Sequence, residues 1–179
     1  MFYKLIAKIV SHPKVFNYLL NKAVRTPYTH IYDASGEEIY MERYWLFNPY
    51  FAVKGLMQFK WLPISIRIHK INVHDHDQHM HDHPWNARSF IMKGYYTEER
   101  LSKGWAADFW NDTELVTRKS GDTARLNFGE YHRITEVSKG GVYTIFVTGR
   151  KQGTWGFLVK GIKVKYWEYL GLSHGKDRS

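Results

Sequence analysis

The stretch VHDHDQHMHDHPW, residues 73–85, holds His74, His76, His79, His81 and His83, half of the chain's ten histidines. A neutral imidazole offers one lone pair to a metal while its other nitrogen donates to a neighbour. The interleaved Asp75, Asp77 and Asp82 are candidates for that neighbour, or for a carboxylate ligand. A metal set needs side chains that converge. On a regular strand, residues two apart share a face, so His79, His81 and His83 fall together and His74 and His76 fall opposite. All five reach one pocket only across a bulge or turn. A His-rich surface tract that binds metal loosely is the ordinary alternative. Pro84 and Trp85 favour a packed site, because a fixed φ and a bulky ring follow the last histidine directly.

A second segment, GDTARLNFGEYHRITE (121–136), sets Gly121 and Gly129 around a strand and a turn, with His132 three residues after Gly129. A distant histidine delivered after a turn would complete a site begun by two strand neighbours. With no cysteine in the chain, thiolate nucleophiles and Cys-ligated zinc or iron–sulfur centres are excluded.

Together these segments resemble the two motifs of the cupin superfamily. In HDHPWNARSFIMKG, His81 and His83 are followed by three residues, Ala87 at the family's glutamate position, six residues and Gly94. In the second motif, Gly121 leads through five residues to Asn127, then Phe128-Gly129, two residues, His132 and, four positions on, Glu136. The register selects His81 and His83 over His79 and pairs them with His132. Three departures stand out: Ala87 replaces a glutamate that usually ligates, Asp75 replaces a glycine and Asn127 replaces a proline. The resemblance is therefore to the three-histidine type, as in thiol dioxygenases. HDHPW, with TIFVTGRKQGTWGF downstream, is also similar to a group of bacterial and phage cupin-like proteins.

The resemblance implies an all-β, cupin-like double-stranded β-helix, or jelly-roll barrel, with an N-terminal α-helical extension. It implies a metal held by His81, His83 and His132 and a small-molecule substrate. A mononuclear non-haem oxidoreductase, dioxygenase-like and using Fe(II), is the leading expectation. Three imidazoles also suit zinc, nickel, copper or cobalt. The alternatives are a metal-independent sugar isomerase or epimerase and a non-catalytic binding or structural cupin. Cupins often dimerise, so a homodimer is an open possibility.

Around this set, His79 is a candidate acid–base group or fourth ligand, against an ordinary rim histidine. Arg88, like Arg133, could grip a substrate carboxylate through paired hydrogen bonds. Tyr143, like Tyr96 and Tyr131, could bring a hydroxyl to the metal, although a tyrosine in a β core is more often packing. His69 lies on the preceding strand and could point into the barrel. Trp85 and Trp155 could wall the pocket or simply pack.

The elements that must position these residues are short strands. YTHIYD and IYMERYWLF read as a hairpin about Ser35-Gly36. PISIRIHKINVH alternates Ile64, Ile66 and Ile68 with Ser65, Arg67 and His69. RSFIMKGYYTEERL, GDTARLNF, GVYTIFVTG, TWGFLV and KVKYWEYL follow at close spacing, the pattern of a sandwich or barrel. Residues 103–122 read as the most loop-like interior stretch. Before the strands, residues 2–24 carry apolar positions at helical spacing, divided at Pro13, with Ser11 as a candidate cap for the second helix. Packing on the body of the domain is the favoured reading of these helices, and a membrane-surface helix is the alternative, because lysines flank the apolar stripe. The expected division is a helical extension over 1–27, one barrel domain over 28–170 and a frayed tail over 171–179.

Lys and Arg exceed Asp and Glu by 26 to 17, a net charge of +9. This permits a nucleic acid or an anionic surface as partner. The charge is spread, however, and a solvated basic surface is the favoured reading. No run of about 18 apolar residues could form a transmembrane helix, the N-terminus lacks a signal-peptide pattern, and a cytoplasmic location is expected.

Overall fold

In a computed structural model of the chain, residues 1–33, 36–48, 61–102 and 111–172 are described. Two helices open the chain, α1 (Phe2–Ser11) and α2 (Pro13–Ala23). Pro13 holds the preceding His12 extended, at φ −63° and ψ 130°. His12 thereby becomes the N-cap of α2. Ser11, expected as that cap, stays in the last turn of α1 and donates its hydroxyl to the Lys8 carbonyl at 3.0 Å.

Eleven strands follow among the described residues. β1 (Pro27–Tyr32), β2 (Ile39–Phe47), β3 (Ser65–Ile71), β9 (Val142–Lys151), β4 (Trp85–Lys93) and β7 (Thr123–Leu126) form one antiparallel sheet in the order β1-β2-β3-β9-β4-β7. β6 (Thr113–Lys119), β5 (Tyr95–Leu101) and β8 (His132–Val137) form the second, in the order β6-β5-β8. β10 (Gly156–Val159) pairs with β11 (Ile162–Lys165), and a short α3 (Tyr166–Tyr169) ends the described chain. The expected β1–β2 pairing is present, while Ser35 of its turn lies outside the described residues. The loop-like reading of 103–122 needs correction, because residues 113–119 are a strand paired along its length with β5. Residues 103–110 lie outside the described residues, as does the expected tail from 173 onward.

The inner strands β3, β9 and β4 of the six-stranded sheet are largely buried on both faces, while the edge strand β1 is mostly exposed. Ile68, Phe90, Met92 and Ile145 look outward and pack under Ala7, Val10, Phe16 and Ala23 of the helices. Burying an aromatic such as Phe16 contributes about 1.5–3 kcal/mol. On the inner face, Ile71, Ile91 and Val142 meet Tyr96 and Ile134 of the second sheet. Two packed antiparallel sheets with a helical layer outside give an all-β jelly roll with an N-terminal helical extension.

Candidate metal centre

His81 lies between strands and makes single bridges to His132 and Phe157. Its backbone exchanges two hydrogen bonds with His132, at 2.9 and 3.0 Å. Main-chain pairing thus ties the first histidine of the set to the third and fixes where both side chains start. His83, two positions on, shares the face of His81. His132 opens β8 after a turn in which the Glu130 N–H donates to the Asn127 carbonyl and Gly129 adopts φ +82°.

The three rings converge. Centroids lie 5.3 Å apart for His81–His83, 5.1 Å for His81–His132 and 5.1 Å for His83–His132. One nitrogen from each falls within 4.8 Å of the others. His83 Nε2 and His132 Nε2 approach to 2.9 Å. Nitrogens this close could be ligands of one bound metal ion. Burial pulls the His81 imidazole down to about 4 and His83 well below its usual value, so both hold the neutral form a metal needs.

Glu98, fully buried on β5, is a member of the site that the sequence reading did not single out. Its carboxylate accepts from His132 Nδ1 at 3.1 Å and pairs with Arg118 at 3.0 Å and Arg100 at 3.4 Å. Burial pushes Glu98 up, but His132 and the two arginines outweigh it and bring the group down to about 2. An ionised Glu98 fixes the tautomer of His132 with Nε2 bare and facing the other rings. Asp75 stands 3.8 Å from His81 Nδ1 while accepting from the Ile134 N–H at 2.7 Å and from the Tyr40 hydroxyl. Asp82, of opposite parity to His81 and His83, is buried and structural, accepting from the Gly156 N–H and Lys163.

Aromatic rings enclose the set. Trp85 stacks on His83 at 5.8 Å and 17°, and Trp155 and Phe157 lie 6.2 and 6.1 Å from His81. Ala87 is buried with Leu126 and Phe146, so the position of the absent glutamate is filled by apolar packing.

The remaining candidates are placed elsewhere. Arg88 faces the helical layer, its guanidinium 3.8 Å from the Tyr3 ring and bonded to Thr123. Tyr143 is on that same outer face, edge-on to Phe16 at 5.2 Å. Neither reaches the histidines, because strand alternation sends both side chains to the face opposite Phe146. His79 pairs through Nδ1 with the Tyr169 hydroxyl at 3.0 Å, outside the set of three. His74 and His76 neighbour each other, with ring centroids 5.5 Å apart, and both are exposed. The expected approach strand is irregular from 72 to 80, so its parity does not apply there. Arg133 is engaged by Glu99 at 2.6 Å.

Beside His83, the inner face of β3 carries two further buried groups. His69 stacks on Phe146 at 4.9 Å. Arg67, 5% exposed, lies over Trp45 and Trp85 at 5.2 Å each and over Phe146 at 5.7 Å. Among the described residues no carboxylate meets Arg67, and its Nε and His69 Nε2 make no hydrogen bond. Burial draws Arg67 down to about 10 and His69 well below its usual value.

No protein-family model and no curated protein matches the chain. Solved structures do. One from work on the DMSP lyases RdDddP and RnDddQII is 13% identical, with a TM-score of 0.52, covering 78% of this chain and 64% of that one. A point mutant of Bacillus subtilis oxalate decarboxylase OxdC is 12% identical, with a TM-score of 0.48, over 78% of this chain. A putative mannose-6-phosphate isomerase from Ralstonia eutropha JMP134 is 16% identical over 49% of this chain and 75% of its own, with a TM-score of 0.41. This chain spans 31% of the length of the decarboxylase and 64% of that of the lyase structure. The neighbours are cupin-fold proteins, and at these identities the likeness concerns the fold alone. Fold and site together define a cupin-like jelly roll with a three-histidine group able to hold a metal ion.

Proposed function

We propose that the protein is a mononuclear metal enzyme in which His81, His83 and His132 hold Fe(II) and a small organic substrate is oxidised in a dioxygenase-like reaction. The observation that carries this reading is the convergence of three imidazoles with no carboxylate at Ala87. Iron bound there would supply open coordination positions for substrate and dioxygen. The chain's own residues do the rest. Glu98 holds His132 in one tautomer. Trp85 packs against His83, and Trp155 and Phe157 against His81, giving the site an apolar wall. Arg67 and His69 offer a positive and a polar group on the same inner face, suited to the polar end of a substrate. His79, bonded to Tyr169, is kept as an acid–base candidate at the rim; Tyr169 stacks on Phe157 at 3.9 Å. The likeness of HDHPW to bacterial and phage cupin-like proteins belongs with this reading.

The test is anaerobic loading with Fe(II) followed by nitric oxide as a dioxygen surrogate. The loaded protein should give the EPR signal of a ferrous nitrosyl, and the His132→Ala variant should not. Stoichiometric iron that never responds to nitric oxide would remove the dioxygenase assignment while leaving the metal site intact.

A further inference from the structure

Helix α1 has more apolar surface than the fold uses. Ile6, Ala7 and Val10 face the sheet and pack against its outer surface. One such stripe is enough to dock a helix. A second stripe, Phe2, Leu5 and Ile9, lies further round the helix and is 68%, 57% and 51% exposed. The spacing of three and four residues places these side chains in one row along the helix. Isolated exposed apolar residues are ordinary, but a contiguous row of large ones on a helix marks a contact surface.

The charge around this row indicates what it contacts. Residues 1–27 contain Lys4, Lys8, Lys14, Lys22 and Arg25 and no Asp or Glu. Lys4 and Lys8 are exposed on one flank of the apolar row. Tyr18 on α2 is also 65% exposed, an amphipathic ring of the type that sits at a lipid headgroup layer. A second copy of the chain is a poor occupant. A two-fold contact through α1 would bring together two segments that each carry Lys4 and Lys8 and have no acid to neutralise them. An anionic lipid surface satisfies both features: acyl chains accept the apolar row and headgroups accept the lysines. At ten residues α1 is too short to cross a bilayer, and no helix among the described residues is long and apolar enough to do so. It would lie in the plane of the interface.

We propose that α1 is a membrane-surface anchor that holds the jelly roll on anionic lipid through Phe2, Leu5 and Ile9, with Lys4 and Lys8 meeting the headgroups. This is independent of the metal chemistry.

The test is co-sedimentation of the full chain with vesicles of phosphatidylcholine alone or mixed with phosphatidylserine. Binding is expected only with phosphatidylserine and should weaken as salt rises. The double variant Leu5→Glu/Ile9→Glu should lose at least about tenfold in binding. Lys4→Glu/Lys8→Glu should lose a similar factor while leaving the apolar row in place. Both pairs are exposed, and each variant is to be checked by its circular dichroism and melting temperature. The proposal is overturned by equal binding to both vesicle types, or by no binding to either. It is also overturned if Leu5→Glu/Ile9→Glu leaves lipid binding unchanged, or if that variant instead dissociates a wild-type dimer that ignores lipid.

Discussion

Glu98 makes the strongest side-chain demand in the site. A fully buried carboxylate is costly unless paired and hydrogen-bonded, and this one joins His132, Arg100 and Arg118. Glu98→Gln keeps the shape and removes the charge, so metal affinity should fall about 10–100-fold, read by competition with a chelator. The same group sets a pH dependence in metal-free protein. Its folded value, about 2, lies below the ordinary carboxylate range. Its stabilisation is therefore complete above about pH 5 and is lost as pH falls through about 4 toward 2. Urea melts over that window should show the loss in wild type and a flatter profile in Glu98→Gln. Arg67 behaves oppositely, because it is buried among rings with no acid beside it among the described residues. Arg67→Met should be neutral or stabilise by about 1–4 kcal/mol in urea unfolding, as replacing buried charge by apolar volume often does. The proximity of His81 and His83 is legible in the sequence because their spacing, to each other and to Gly94, is local. Glu98 is not, since its partners His132 and Arg118 lie 34 and 20 positions away and YYTEERL reads as a solvated strand. One signal was present: Glu98 shares parity with Tyr96, so a tyrosine turned inward takes the carboxylate with it.

At the scale of elements, the turns that lead into the strands bearing Glu98 and His132 rest on glycine. Gly94, between β4 and β5, sits at φ +81°, and a Cβ there would come within 2.7 Å of the Gly141 carbonyl. Gly129 has a similar φ, +82°, but nothing within 4 Å. Gly129→Ala should therefore cost about 1–2 kcal/mol from the backbone alone, and Gly94→Ala distinctly more, as paired denaturant melts would show. The helical layer makes its own prediction: Phe16→Ala should cost about 3–5 kcal/mol, since Phe16 fills the space between α2 and the sheet. Strand periods are readable in the sequence, but faces are not always. In PISIRIHKINVH the alternation is real, yet the polar set Ser65, Arg67 and His69 turns to the interior and Ile66 and Ile68 turn to the helices. A polar stripe ordinarily means solvent. Here the α1–α2 cover makes the outer face apolar, and that cover is tertiary information. The same alternation removes Arg88 and Tyr143 from the site, because adjacency to a motif does not specify a face.

For the whole molecule, the two bridges of His81 make the site a joint between β8 and β10. A metal bound only by the folded chain would strengthen that joint. At a concentration 100 times the dissociation constant it would add about 2.7 kcal/mol to stability. Stripping the metal should lower the melting temperature, and adding it back should restore it, with no such response in His81→Ala. The overall class is legible from the short strands and the two motif registers, which agree with each other across the chain. The chemistry of the substrate is not encoded in any local pattern, because the inner face that would meet it is assembled from β3, β4, β8 and β9. The most direct measurement is elemental analysis of the untagged full chain, purified without chelator and compared with His132→Ala. About one transition-metal ion per chain in the wild type and almost none in the variant is the expected result. A wild-type chain that stays metal-free after reconstitution, or a variant that keeps its metal, would contradict the assignment of His81, His83 and His132 as the metal centre.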